Sequence, residues 1–201
     1  RVEGEGGRGS AWFVEGAFGQ GVLRHYRRGG WAARLSRDAY VWQGEEATRS
    51  FREFRFTAAL RAKGLPVPKP LAAWYRREGL FYRAALLMQR IPGVRSFGAC
   101  VAGQGADAPW ESVGRSLGRC HAVGARHADG NATNILVDAG GDAWIIDWDR
   151  GRIDRDVAAW QEVVFSRLRR SFRKVAPGIS EAVIEDGMRR LRAAHDAELR
   201  R

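Results

Sequence analysis

Two groups of polar side chains lie on either side of a pair of short apolar runs, and their types could act on a phosphate. The stretch is HADGNATNILVDAGGDAWIIDWDRG, residues 127–151. Asn134 ends the first group and Asp147 begins the second. An amide oxygen and a carboxylate are hard oxygen ligands, suited to Mg²⁺ held jointly with substrate phosphates. Asp129, five residues before Asn134, is placed where a general base for a substrate hydroxyl would be needed.

A hairpin is the element that must bring these residues together. The apolar runs 135–137 and 143–146 are separated by DAGGD, which has strong turn chemistry. Folding the chain about this turn places Asn134 opposite Ile146, next to Asp147. The sequence therefore predicts that the amide and the carboxylate share one rim of the hairpin.

Polar residues at hairpin ends also have a simpler explanation, because Asp and Asn favour turns. However, the pattern H-x-D-x4-N, followed by Asp thirteen residues after the Asn, fixes four residue types at set offsets. A chance match in a chain of this length is expected about once in a thousand sequences. We therefore prefer the functional interpretation.

The first part of the chain has the pattern of strands with one helix among them. Residues 11–15 and 21–26 flank a turn and predict a hairpin, and 80–91 predicts a further strand. The pattern over 48–63 is helical. The prolines of 65–70 predict an extended connector.

The second part is mostly helical. Residues 110–124 and 157–174 each place apolar side chains on one face at helical spacing, and a last helix is predicted from about Ser180. These faces consist of Trp110, Val113, Leu117 and Cys120 in the first helix and of Val157, Trp160, Val164, Leu168 and Phe172 in the second. Strands followed by helices indicate a two-lobed α+β chain rather than a doubly wound sheet.

Composition excludes some classes of protein. With 201 residues, 45% hydrophobic and 28% charged, the chain is typical of a soluble globular protein. No apolar run is long enough to predict a membrane span, the first residues do not predict a signal peptide, and the lack of an initiator Met predicts a trimmed piece of a longer protein. Cys100 and Cys120 are expected to be buried free thiols in a reducing cytosol. The net charge of +11 favours anionic partners without choosing among nucleic acid, lipid and phosphorylated small molecules.

The polar stretch also resembles a known family. HADGNATN resembles the catalytic loop of eukaryotic-type kinases, H-R-D-L-x-x-x-N, and IIDWD takes the place of the strand that ends in D-F-G. Over nearly the whole chain the sequence resembles the 3-deoxy-D-manno-octulosonic acid (Kdo) kinases. The stretches that carry this likeness are VLRHYRRGG (22–30), SFREFRFTAALRAKGLPVPKPLAAW (50–74), QRIPG (89–93) and IIDWDRGR (145–152).

The resemblance implies a bilobal protein-kinase-like α+β fold. A small β-rich N-lobe with one main helix would cover about 1–88, and a mostly helical C-lobe about 89–201. The implied reaction transfers the γ-phosphate of ATP to a hydroxyl, expected to be the 4-OH, of Kdo on lipid A precursor. Its expected location is the cytoplasmic face of the bacterial inner membrane, as a peripheral protein.

The resemblance also assigns roles to individual residues. Asp129 would be the catalytic base, and Asn134 and Asp147 would hold Mg²⁺ against the ATP phosphates. Arg24, aligned by Glu53, would steady the α- and β-phosphates. Phosphoryl transfer needs mainly positioning and charge neutralisation, and this set supplies both.

A glycine-rich loop is expected to cover the ATP phosphates with backbone N–H groups, through Gly7 and Gly9. Glycines near a terminus can also be merely flexible.

The alternative for Glu53 is a surface ion pair with Arg49 or Arg52.

Three positions depart from the kinase pattern. Arg24 stands where most kinases have lysine, and Arg27 or Arg28 could share its phosphate contact. Asp149 replaces the glycine of D-F-G. Gly130 follows Asp129 where leucine is usual, and the missing packing anchor predicts a less rigid loop and a slower enzyme.

The basic face of the helix over 157–174 could bind the anionic membrane surface, with a solvated arginine face as the alternative. Nucleic acid is not expected as a partner, because only charge points to it.

The rival functions are another small-molecule or protein kinase of the same fold and a catalytically dead, kinase-like module that binds anionic ligands. Retention of Asp129, Asn134 and Asp147 argues against the dead module.

Overall fold

The structure is a computed structural model that describes residues 11–26 and 39–201. Helices and small antiparallel sheets are combined in one chain, so the fold is mixed α+β. The chain divides into two compact units. One contains the described residues up to Ala59 together with Pro68–Arg90, and the other contains Leu60–Val67 and Ile91–Arg201.

The first unit is built on a five-stranded antiparallel sheet. Its elements are β1 (Ala11–Gly16), β2 (Gly19–His25), β3 (Tyr40–Val41), most of α1 (Arg49–Ala62), β4 (Pro70–Glu78) and β5 (Phe81–Gln89). Strand β5 pairs with β2, β3 and β4, and β1 pairs with β2. The sequence predicted the β1–β2 hairpin, α1 and β5 but not β4, which begins at the end of the proline-rich connector.

Aromatic side chains fill the core beside this sheet. Tyr26, Tyr82 and Leu86 are buried, and Phe54 of α1 packs against them. The sheet and the helix thereby share one apolar layer, which fixes the face of α1 that points inward.

The second unit is mainly helical. Its elements are β6 (Arg95–Ser96), α2 (Phe97–Gln104), a 3-10 turn (Gly105–Asp107), α3 (Trp110–Ala122), β7 (Ala125–Arg126), β8 (Ile135–Val137), β9 (Ala143–Ile145), β10 (Arg152–Ile153), α4 (Val157–Val175) and α5 (Glu181–Leu199). Side chains of Ser96, Asp156 and Ser180 cap α2, α4 and α5 by accepting backbone N–H groups. Helix α2 was not predicted.

Helices α3 and α5 pack closely because small residues let their backbones approach. A Cβ added at Gly118 of α3 would lie 2.7 Å from the carbonyl oxygen of His195 in α5. Beside this contact, the ring of Trp110 packs edge-to-face on Phe97, and Phe97 packs in the same way on Phe172 of α4. The predicted apolar faces of α3 and α4 thus form the core of this unit.

Cys100 and Cys120 are buried free thiols. Over residues 11–26 and 39–201, no helix is both long and apolar enough to cross a bilayer.

Candidate active site

The predicted hairpin forms and brings Asn134 next to Asp147. Strands β8 and β9 pair with Ile135 opposite Ile145. One residue further, the N–H of Ile146 donates to the carbonyl oxygen of Asn134 at 2.9 Å. Asp147 follows directly, so the amide and the carboxylate lie at the same rim of the hairpin.

The loop before β8 is held by its own side chains. The Nδ2 group of Asn134 donates to the carbonyl oxygen of Asp129 at 2.9 Å, which leaves the Asn134 Oδ1 atom as the acceptor for a cation. The Nδ2 group of Asn131 donates to Oδ2 of Asp129 at 3.1 Å, and its Oδ1 accepts the N–H groups of Thr133 and Asn134. Asn131 therefore orients the Asp129 carboxylate, a contact that sequence reasoning missed.

His127 joins this loop to the strand that leads to Asp147. Its Nδ1 accepts the N–H of Asp129 at 3.0 Å, so the proton is on Nε2, which donates to the carbonyl oxygen of Ile146 at 2.9 Å. The ring packs on Trp148, with centroids 4.7 Å apart. Burial lowers the pKa of His127, and the Ile146 carbonyl opposes this only in part. The histidine is thus a neutral brace between the two groups of polar residues.

Asp147 has an unusual backbone conformation. Its φ is +63°, in the left-handed region, and Arg150 has φ of +62°. They are the non-glycine residues with positive φ in the described chain. A non-glycine residue in this conformation costs of order 1–3 kcal/mol of conformational free energy. It persists where the surrounding structure imposes it, often at functional sites.

The Asn134–Asp147 pair fits the coordination that Mg²⁺ accepts. This ion is commonly held by one or two protein oxygens together with substrate phosphates and water. Among the described residues, no group of three or more His, Cys, Asp or Glu could hold a metal. Asn134 and Asp147 could hold the ion together with substrate phosphates and water.

Helix α4 contacts the loop from the other side. Ser171 Oγ accepts the N–H of Ala132 at 3.0 Å, and Arg167 donates to the carbonyl oxygen of Ala128. Val164 faces Gly130, where an added Cβ would lie 3.1 Å from the valine Cγ1. These contacts flank Asp129 on both sides. Apart from a serine beside the apolar face of the helix, no feature of the sequence indicates them directly.

In the first unit, Arg24 of β2 contacts Glu53 of α1. Arg24 Nη2 donates to Oε2 of Glu53, and the hydroxyl of Tyr26 donates to the same oxygen at 2.5 Å. Glu53 is only 3% exposed, which does not fit the alternative of a surface ion pair. Burial, and then the Glu53 carboxylate, raises the pKa of Tyr26, so this hydroxyl stays protonated and remains a donor. Sequence reasoning missed Tyr26.

The predicted site residues are thus placed in two groups. Asp129, Asn134 and Asp147 are brought together within the second unit, and Arg24 and Glu53 are paired within the first. The predicted phosphate-covering Gly7 and Gly9 lie outside the described residues, as do Arg27 and Arg28, the alternative phosphate contacts.

Comparison with known proteins identifies relatives over nearly the full chain. A family model described as "Lipopolysaccharide kinase (Kdo/WaaP) family" matches residues 1–191. The chain is 54% identical over 198 residues to a 3-deoxy-D-manno-octulosonic acid kinase of Stenotrophomonas maltophilia (strain K279a), covering 98% of this chain and 79% of the relative. Proteins with the same name are 53% identical in Xanthomonas campestris pv. campestris (strain B100) and 50% identical in Xylella fastidiosa (strain 9a5c). Each of these matches covers 96% of this chain and 77% of the relative.

Proposed function

The chain belongs to the lipopolysaccharide kinase (Kdo/WaaP) family and is a phosphotransferase that acts on a hydroxyl, and we propose that it transfers the γ-phosphate of ATP to the 4-OH of Kdo on a lipid A precursor. The relatives named Kdo kinase support the sugar as acceptor. The observation that carries the chemistry is the hydrogen-bonded rim on which Asp129, Asn134 and Asp147 meet.

Asp129 is the group to which we assign the acceptor hydroxyl. Its Oδ2 accepts the amide of Asn131, so Oδ1 is the oxygen proposed to accept the proton as the sugar oxygen attacks phosphorus. Asp129 is exposed, and its N–H is fixed on His127. A carboxylate held in this way can orient a hydroxyl and receive its proton.

Asn134 and Asp147 are the proposed magnesium ligands. A bound Mg²⁺ would neutralise phosphate charge during transfer. The hydrogen bond from Asn134 Nδ2 to the Asp129 carbonyl fixes the orientation of the Asn134 amide and therefore the direction of its Oδ1 atom. The protein's contribution is therefore an Asn134 oxygen in a fixed direction, with Asp147 beside it at the rim of the hairpin.

Arg24 is the proposed contact to the α- and β-phosphates. Arg24 is held by Glu53, its side chain is 27% exposed, and a guanidinium can pair with phosphate oxygens bidentately. Gly7 and Gly9, in the predicted covering loop, remain part of this proposal. So does a two-lobed, kinase-like organisation with its boundary near residues 88 and 89.

The experiment is phosphate transfer from ATP, with Mg²⁺, to Kdo–lipid A precursor, followed by location of the phosphate on the sugar. We expect phosphate at the 4-OH, and a rate about 10²–10⁴-fold lower for Asp129→Asn. Asp142→Asn, in the turn at the far end of the same hairpin, is the matched control and should keep the parent rate. No product from folded protein would refute the proposal. ATP binding without turnover, unaffected by Asp129→Asn, would favour a dead binding module.

We also propose that the protein works at the cytoplasmic face of the inner membrane, bound to anionic lipid. Arg167 and Arg169 of α4 already contact the catalytic loop and α5, but Arg170, Arg173 and Lys174 are exposed. Neutralising these three should reduce sedimentation with anionic vesicles, and salt should weaken it. The control replaces Arg189, Arg200 and Arg201, which removes the same number of positive charges from another part of the protein. Vesicle binding that high salt leaves unchanged would refute an electrostatic attachment.

A further inference from the structure

A pocket of about 150 Å³ lies beside the catalytic loop in the second unit. Its wall includes Ala128, which precedes Asp129, and Trp160 of α4. Four arginines also line it, namely Arg126, Arg150, Arg152 and Arg167. Neither the proposed magnesium ligands nor Arg24 belongs to this wall, but His127, which holds the backbone of Asp129, does.

The charge of this pocket is strongly positive. Asp154 pairs with Arg126 at 2.9 Å and with Arg152 at 3.5 Å, so one carboxylate is shared by two guanidinium groups. Arg167 donates to a neutral carbonyl, that of Ala128, which leaves its charge uncompensated by that contact. Arg150 adds a fourth positive charge. Such an arrangement attracts an anion, and guanidinium groups match carboxylate and phosphate oxygens.

The pocket is held in place by the segments that carry the catalytic residues. Arg167 bonds the residue next to Asp129, and Arg150 lies three residues after Asp147. Arg150 has a left-handed backbone conformation, with φ of +62°. A non-glycine residue persists there only when the surroundings require it. The strained segment therefore presents an arginine beside the loop that holds the proposed base.

We propose that this arginine pocket binds an anionic group of the acceptor, either the carboxylate of the sugar acid or a phosphate of its lipid part. The inference rests on the proposed function, because it needs an anionic acceptor whose hydroxyl reaches Asp129. An anion seated against Ala128 fixes the acceptor next to the base. The pocket thus sets acceptor affinity, while Asn134, Asp147 and Arg24 act on ATP.

Steady-state kinetics test the pocket directly. The double variant Arg150→Gln/Arg152→Gln should raise KM for Kdo–lipid A precursor roughly 10- to 100-fold, as expected for loss of charge-assisted hydrogen bonds. The KM for ATP and kcat should stay within about twofold, since neither change touches the proposed ATP ligands. As the α5 control, Arg189→Gln/Arg201→Gln removes the same charge from α5 and from the residue that ends the described chain, and it should keep the parent constants. An unchanged acceptor KM in the pocket variant would overturn the proposal.

Two modified acceptors distinguish the sources of the anion. One carries the Kdo carboxyl as its methyl ester, and the other lacks the lipid phosphates. Parent and pocket variant should have equal KM for the acceptor that lacks the group bound in the pocket. If the variant raises KM equally for both modified acceptors and for the complete one, the pocket does not bind either group.

Anion binding separates this inference from the proposed function. Inorganic phosphate, compared with chloride at equal ionic strength, should raise the melting temperature of the parent and of the α5 control more than that of the pocket variant. If the parent makes no phosphorylated Kdo but this difference is found, the acceptor assignment fails and the anion pocket stands. An identical phosphate effect in all three proteins would overturn the pocket.

Discussion

At the scale of single residues, Gly130 departs from the kinase pattern, which usually has leucine at this position. Its packing shows whether a leucine would fit. Gly130 is buried, and an added Cβ would lie 3.1 Å from Cγ1 of Val164. The cavity beside it, lined by Leu117 and Ile135 among others, measures only about 10 Å³. A leucine side chain is far larger than this space, so α4 occupies the room that a leucine would need.

We expect Gly130→Leu to lower the free energy of unfolding by about 1–3 kcal/mol, the usual cost of overpacking. Val164→Ala should cost stability in the parent but restore part of it in the Gly130→Leu background, because it opens the contested space. Urea denaturation of the four proteins measures this coupling. Gly130→Ala needs only a small shift of Val164 and is the mild control. Additive effects of the two changes would show that the side chains do not compete.

The residues of the site were predictable to different degrees. Asn134 and Asp147 follow from local chemistry, since the turn between two apolar runs fixes their register. Asn131 was visible as a polar residue, but its bond to Asp129 depends on a loop conformation that no periodicity encodes. Tyr26 could not be assigned, because its partner Glu53 is 27 residues away and reaches it only after the sheet and α1 pack.

At the scale of elements, α4 holds the loop between Asp129 and Asn134 in place. Ser171 accepts the N–H of Ala132, a residue with no exposed surface, and donates to the carbonyl oxygen of Leu168 at 2.6 Å. The N–H of Gly98 in α2 donates to the carbonyl oxygen of Ala132 at 3.0 Å. Both backbone groups of Ala132 are therefore satisfied by helices, which fixes the loop between Asp129 and Asn134.

Ser171→Ala should lower the free energy of unfolding by about 1–3 kcal/mol, because it leaves the buried N–H of Ala132 without its acceptor. We also expect kcat to fall more than the KM for ATP changes, since the loop that carries Asp129 loosens. Ser171→Thr keeps the hydroxyl and should recover most of kcat, which a general loss of stability would not explain. Ser166→Ala, exposed on the same helix, is the control. Parent kcat in Ser171→Ala would refute this positioning role.

The long helices and the hairpin strands could be predicted from the sequence, but β4 and α2 could not. Helix α1, predicted over 48–63, spans Arg49–Ala62, because its apolar spacing and the following glycine are local signals. Strand β4 was missed because its residues are largely exposed and follow a proline-rich segment, so pairing with β5 rather than its own pattern makes it a strand. Helix α2 has eight residues and two glycines, too short for periodicity to indicate it.

At the scale of the whole molecule, buried histidines connect distant parts of the second unit. His121 of α3 and His195 of α5 are joined by a 2.8 Å hydrogen bond between their ring nitrogens, and both are almost fully buried. The Nδ1 of His195 lies 2.8 Å from a carboxylate oxygen of Asp196. Burial, together with smaller effects of the nearby His195 and His127, lowers the pKa of His121 to about 3. Burial also lowers the pKa of His195, against the opposing effect of Asp196.

This arrangement predicts a loss of stability in mild acid. An unfolded histidine titrates near pH 6.5, so below that pH the unfolded chain binds protons that buried, neutral His121, His127 and His195 do not. The free energy of unfolding should therefore be flat above about pH 6.5. Between pH 6.5 and 5 it should fall by up to about 1.4 kcal/mol per pH unit for each proton that the unfolded chain binds and the folded chain does not.

The range from pH 6.5 to 5 lies above the usual titration of carboxylates, so it isolates the histidines. In urea denaturation at pH 7, 6 and 5, His121→Gln should reduce the slope, and Ser166→Ala, an exposed change that removes no histidine, should not. An equal slope in parent and His121→Gln would mean that this buried pair does not carry the acid sensitivity.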